Sequence, residues 1–236
     1  MTKRGFSLIE NLISLSLLLI IFLSSLEFFG LARRLFFKLK QEEETKLCAF
    51  SALEKLKIDL LQAGLALLQP IRLGVVEGIM ESDNSLMILS GEKRLHHLGN
   101  LVCGQARIFL ETTEDLKKGR EICFFDSSKG EVKIIDSVKR DSIVLSLPLE
   151  FSYSQGETSL LLLEKISFYL DPVKKILLRK TNSSPAQPLL EEVTLFDPDY
   201  EKSTNLARLC LTLERDKEKR YESYIFPKNI GLALGR

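Results

Sequence analysis

MTKRGFSLIENLISLSLLLIIFLSSLEFFGLA, residues Met1 to Ala32, is the stretch that decides how this chain is organised. Its first five residues carry two positive charges, Lys3 and Arg4, and end at Gly5; the apolar run starts abruptly at Phe6. An ordinary secretory signal has its small-residue cleavage site after the apolar region, so that cutting discards the run. Here the small residue comes first, and a cut at Gly5 would keep it. About 20 helical residues cover the hydrocarbon core of a bilayer, so the segment from about 6 to 30 is long enough to span one. Glu10 is out of keeping with that segment. An intramembrane carboxylate costs on the order of 2.5–3.5 kcal/mol by insertion scales, and less near an interface. Its presence predicts a cationic partner.

The run Lys3-Arg4-Gly5-Phe6-Ser7-Leu8-Ile9-Glu10 resembles the processing motif of type IV prepilins and of the pseudopilins of type II secretion. The resemblance implies that a membrane aspartyl peptidase, the prepilin peptidase, cuts between Gly5 and Phe6 on the cytoplasmic face and methylates the new amino terminus. Physical readings agree with these roles: Lys3 and Arg4 hold the leader inside, and a glycine lets a peptidase approach the backbone closely. By resemblance, Glu10 meets the charged Phe6 amine of a neighbouring subunit during assembly, an ion pair that orients as much as it stabilises. The competing reading is a plain signal anchor with a stray glutamate. Arg33, Arg34, Lys38 and Lys40 follow the span against the usual positive-inside bias. The leader motif decides for a cytoplasmic N-terminus, since its peptidase acts there. The partners implied are the prepilin peptidase, other pilin or pseudopilin subunits through the N-terminal helix, and the inner-membrane assembly platform. The implied location is the inner membrane, single-pass, with the head periplasmic or extracellular and at a pilus or pseudopilus tip after assembly.

Beyond the apolar run, Leu31, Leu35, Leu39, Phe50, Leu53, Leu56, Leu60 and Leu61 recur at mostly helical spacings among charged residues. No proline precedes Pro70, and Gly64 is a natural stop, so a cleaved leader (1–5) and one long helix over 6–64 are expected. Its second half should pack the leucine stripe under a head; two helices broken near Gly30 are the alternative. From 70 to 236 short apolar alternations dominate, at 85–89, 131–135, 142–147 and 166–170. Turn signals separate them at 127–130, 155–156 and 171–172, and 182–185 reads as a loop. The expected class is α+β, a long helix packed on a largely antiparallel β-sheet head. The runs 166–170, 176–180, 187–193 and 207–213 are similar to the heads of PilW-type minor pilins and of the J-type minor pseudopilin of type II secretion. The likeness lacks the tyrosine those families place beside Leu178-Arg179, and Phe226-Pro227-Lys228-Asn229 stands where an Arg-Asn ending is common.

The chemistry-bearing residues point away from catalysis. The 33 basic and 32 acidic residues give a formal net charge of +1, with no polybasic signature for nucleic acid. Cys48, Cys103, Cys123 and Cys210 contain no C-x-x-C pair, and His96-His97 are adjacent, so no ordinary zinc site is expected. The two histidines read as an exposed turn. In an oxidising compartment Cys103 and Cys123 could close a disulfide loop. Asp197, Asp199 and Glu201 alternate and offer oxygen ligands for calcium, without the glycine of an EF-hand loop; an exposed acidic turn is the alternative. The mixed run 214–220 reads as a solvated hairpin tip. No G-x-S-x-G elbow or activated nucleophile is present. No enzyme activity and no cofactor are expected. The function expected is a minor pilin or pseudopilin that helps start assembly or caps a filament. The alternative is a membrane-anchored module that displays its head to capture DNA, a surface or a secreted substrate.

Overall fold

The apolar run and the leucine stripe behind it form one helix, α1 (Leu8–Leu61), uninterrupted at Gly30. It belongs to a computed structural model that describes residues 8–235. The chain divides into two units, Met1–Cys48 and Ala49–Arg236. Within the first, α1 from Leu8 to Phe29 is apolar on every side and its large side chains are exposed. That pattern suits a helix in lipid rather than one lying on a core. Two of its serines are satisfied locally: Ser16 and Ser25 each donate 2.8 Å hydrogen bonds to carbonyls one turn back. The two acids of the span, Glu10 and Glu27, stand about 25 Å apart along the axis at 1.5 Å per residue, one toward each end.

In the second unit the last turns of α1 bury Ala49, Ala52, Leu53, Leu56 and Leu60, the i, i+3, i+4, i+7, i+11 stripe of one helix face. The expected stripe is corrected: only Leu53, Leu56 and Leu60 of it are buried, Phe50 and Leu61 lie off this face and are exposed, and Leu31, Leu35 and Leu39, in the first unit, are exposed too. Phe50 instead meets the Tyr221 ring edge-on at 6.0 Å. Asp59 is also on the buried face, and its carboxylate takes Arg179 Nε at 2.7 Å and Lys55 Nζ at 3.1 Å. Arg179 lies over the Phe168 ring and donates to Thr181 Oγ1, so it is fixed on several sides. The helix ends before Gly64, whose φ of +72 favours glycine. A side chain there would also meet Ile230 at 2.9 Å, while the Gly64 N–H donates to the Leu89 carbonyl.

After α2 (Leu68–Arg72) the chain is almost wholly antiparallel strand: β1 (Ile79–Ser82), β2 (Ser85–Leu95), β3 (Arg107–Phe109), β4 (Glu121–Phe125), β5 (Gly130–Val138), β6 (Ser142–Leu145), β7 (Ser159–Asp171), β8 (Ile176–Thr181), β9 (Gln187–Leu190), β10 (Val193–Glu201), β11 (Leu206–Leu213), β12 (Asp216–Ile225), closed by α3 (Lys228–Ala233). One sheet runs β1-β2-β7-β4-β5-β6-β3, with β8 and β9 branching from β7; a second runs β10-β11-β12. The α+β class is therefore as expected, and β-hairpins turn at 127–129 and 172–175 as the turn residues predict. Pro188 and Pro198 fall in β9 and β10, each at the end of a sheet, where a missing donor is tolerated.

Three apolar clusters hold the head. The first gathers the α1 stripe with Ile88, Ile166, Phe168, Phe196 and Leu211. The second lies within the segment between β2 and β7, around Ile108, Phe124, Ile135, Ile143 and Leu162. The third, around Leu67, Leu89, Cys123 and Leu161, packs on the opposite faces of β4 and β7. Strands β4 and β7 are thus covered on both sides, which is why Ile122-Cys123-Phe124-Phe125 and Leu160-Leu161-Leu162-Leu163 are continuous apolar runs.

Replacing Asp59 by Ala should lower head stability by about 3 kcal/mol, because Arg179 then loses its buried partner. Lys57→Ala, in an exposed pair with Glu54, should change it by less than about 0.5 kcal/mol. Urea unfolding read by tyrosine fluorescence tests this, the chain having no tryptophan. A loss at Asp59 no larger than at Lys57 would mean the pair does not tie the helix to the sheet.

Candidate functional site

Glu10 is the acidic residue of the first turn of α1. Lys3, Arg4, Gly5 and Phe6 lie outside the described residues.

The head residues singled out in the sequence separate. Cys103 is exposed in a turn, where its N–H donates to Ser152 Oγ, whereas Cys123 is buried in β4; both are free thiols, so the disulfide expected between them is not formed. Burial pushes the Cys123 thiol up to about 12. The exposed-turn reading of the histidines is corrected for His97. That residue is buried, bridges to Leu110, and brings Nδ1 within 2.8 Å of the Gly99 carbonyl, while His96 stays exposed.

Asp197, Asp199 and Glu201 do share one face of β10, as alternation requires. They form no calcium cradle. Arg208, across the ladder on β11, reaches Asp197 at 3.1 Å and Asp199 at 3.6 Å, so a cation already stands between those carboxylates. Glu201 accepts from the Ser203 and Thr204 hydroxyls, which hold its carboxyl below the usual range. Among the described residues, no group of three or more His, Cys, Asp or Glu side chains is placed to hold a metal ion. The 214–220 run forms the β11–β12 turn and the start of β12.

A buried polar cluster that the sequence does not announce joins β5 to the segment before β7. Glu131 accepts the N–H groups of Glu150 and Phe151, the Tyr153 hydroxyl, and the Lys133 ammonium at 3.0 Å. Burial opposes the charge on Lys133, yet hydrogen bonds to Glu150 and Glu131 prevail and raise its pKa. Burial, then the Glu131 charge, raises that of Tyr153. These groups satisfy one another and hold a loop in place.

Residues 1–26 match the family described as the prokaryotic N-terminal methylation motif. With the apolar helix behind it, the motif makes this a type IV prepilin-like protein, and it implies processing by prepilin peptidase and pilin-type interactions. Among the described residues one helix is long and apolar enough to cross a membrane, which fits a single-pass, membrane-anchored chain. No curated protein matches the sequence. Among solved structures, the chain is similar to the Gp54 tailspike of Acinetobacter baumannii bacteriophage AP22, in complex with A. baumannii capsular saccharide, at 12% identity and TM-score 0.29, over 33% of this chain and 15% of that one. It is similar also to the Pseudomonas phage phi297 tailspike gp61, at 14% identity and TM-score 0.27, over 31% of this chain and 14% of that one. The tailspike gp49 of Pseudomonas phage LKA1 gives 12% identity and TM-score 0.27, over 32% and 14%. The chain thus spans about a seventh of the tailspikes' length, and a likeness at these scores carries no argument about the head.

The buried thiol makes a pH prediction. The folded pKa of Cys123 lies above the ordinary value of 9.0, so its stabilisation is complete below pH 9 and is lost as pH rises toward 12. The cost from this thiol alone should reach about 4 kcal/mol by the upper end. Lys133 and Tyr153 act in the same direction. In urea unfolding across this range, Cys123→Ala should flatten the decline. At neutral pH a thiol reagent should modify Cys103 and spare Cys123 in the folded chain. An equally steep decline in the variant would remove the thiol from the account.

Proposed function

We propose that this chain is a minor pilin or pseudopilin that acts in the initiation of assembly, or in capping, of a type IV pilus or related filament. It does so after prepilin peptidase cleavage between Gly5 and Phe6. The observation that carries the reading is the order of the N-terminal parts: a basic leader ending in glycine, then a carboxylate in the first turn of an all-round apolar helix. A carboxylate at membrane depth is costly unless a cation accompanies it. The amine that cleavage creates at Phe6 of a neighbouring subunit is a cation delivered to the right depth. Pairing the two sets the axial register of one helix against the next.

The head supports a low-copy role over that of the bulk subunit. It is large, with a cluster of its own between β2 and β7 that α1 does not share. Such a head suits a filament end, where one side faces no further subunit. The N-terminus then lies in the cytoplasm, the helix crosses the inner membrane, and the head stands on the periplasmic or extracellular side. The role is structural rather than catalytic.

Glu10→Ala should leave processing at Gly5 largely intact and lower recovery of the chain in sheared filaments by about tenfold or more, the scale expected for losing one ion pair in low dielectric. Immunoblots of the filament and membrane fractions test this. Normal incorporation of the variant would sink the proposed pair.

A further inference from the structure

Strand β7 has β2 along one edge from Leu160 to Tyr169. Along its other edge β4 covers Ser159 to Leu162 and β8 covers Ile166 to Asp171, so Leu163, Glu164 and Lys165 have no strand beside them there. Backbone groups left without a ladder partner need other donors and acceptors. Two residues supply them. Arg120 Nη2 donates to the Leu163 carbonyl at 2.8 Å. Asn182, held in the left-handed region at φ 51, accepts the Lys165 N–H on Oδ1 at 2.8 Å and donates its own N–H to the Lys165 carbonyl at 2.7 Å. The parted strands leave a notch of two adjoining cavities, of about 260 and 520 Å³, both lined by Arg120, Asn182 and Ser183. That is room for a few residues of a bound chain.

The notch favours a negative guest. Its three acids are each met by a cation: Glu92 by Arg120, Asp115 by Lys93 at 3.8 Å, and Glu121 by Lys165 at 3.6 Å. Lys117 and Lys180 line the cavities with no acidic partner among the described residues, so two positive charges are left over in a chain whose formal total is +1. Arg120 is the deep member, its side chain 9% exposed. Glu92 reaches it from the bulge between Gly91 and Lys93, which turns that residue out of the β2–β7 ladder. Even so, Arg120 Nε has no hydrogen-bond partner among the described residues. A buried donor left unpaired is costly until an acceptor arrives.

The lining also selects the class of guest. Among the described residues, no aromatic ring lines the notch to stack a base, as single-stranded nucleic acid requires. The hydroxyls of Ser183 and Ser184 and the mixed charges suit a peptide, which brings donors as well as acceptors. We propose that the notch where β4 and β8 part along β7 binds an acidic peptide segment of a partner protein, with Lys117 and Lys180 drawing it in and Arg120 anchoring a carboxylate. The inference does not rest on the filament role above, because the notch lies wholly within the head.

The test uses the full chain in nonionic detergent and fluorescein-labelled hexaglutamate as probe, read by anisotropy. Saturable binding is expected. It should weaken about tenfold or more in the Lys117→Glu, Lys180→Glu double variant, where like charges now face the probe. Both substitutions are at cavity walls outside the apolar clusters, and an unchanged urea midpoint will show that the variant is folded. Binding should also weaken between about 0.1 M and 1 M salt, where the Debye length falls from about 10 Å to 3 Å. Absence of binding to the wild type, equal binding to the double variant, or tighter binding of a labelled hexathymidylate would each overturn the proposal.

Discussion

A helix that is apolar on every side is stable only in lipid or among other helices of its kind, and residues 8–29 of α1 are such a helix. Everything at the N-terminus follows from that constraint. The serines must return their hydroxyls to the backbone, as Ser16 and Ser25 do. The methylation motif over residues 1–26 implies that the chain is processed by prepilin peptidase just ahead of this helix. In the proposed reading, cleavage after Gly5 would expose an amine at Phe6, and methylation would leave it charged. In that reading, processing, anchoring and assembly depend on the same few residues.

The head answers a different demand, that of covering the end of α1 while carrying extra sheet. Strand β7 does most of this. It pairs with β2 on one edge and with both β4 and β8 on the other, and its Leu160–Leu163 stretch is covered on both faces. One end of β7 therefore belongs to the cluster that α1 completes, and the other to the cluster built from β3 to β6. Arg120 and Asn182 satisfy the backbone at the junction. The buried charges of the head, at Asp59, Glu131 and Arg120, each sit where two segments distant in sequence have to be joined.

Much of this was legible in the chain. The apolar run, the stripe through Leu53, Leu56 and Leu60, and the alternations later found in β2, β5, β6 and β7 are periodic signals, and periodicity survives without knowledge of partners. What failed to show depends on contacts far along the chain. Continuous runs such as Ile122–Phe125 carry no period, so strands covered on both faces are harder to see than strands with one wet face. Asp59 reads as one more charge on a helix until Arg179 is beside it. His97 is buried only because the chain bridges to Leu110. The notch is invisible in sequence for the same reason: Arg120, Lys165 and Asn182 meet only after the sheet has split.

The measurement that bears most directly on the account is the mass and N-terminal sequence of the mature protein, produced with and without a prepilin peptidase. The account predicts a chain that starts at methylated Phe6 only when the peptidase is present. A chain that keeps Met1 and the leader in its presence would contradict it, leaving Glu10 without the amine and α1 as a plain signal anchor.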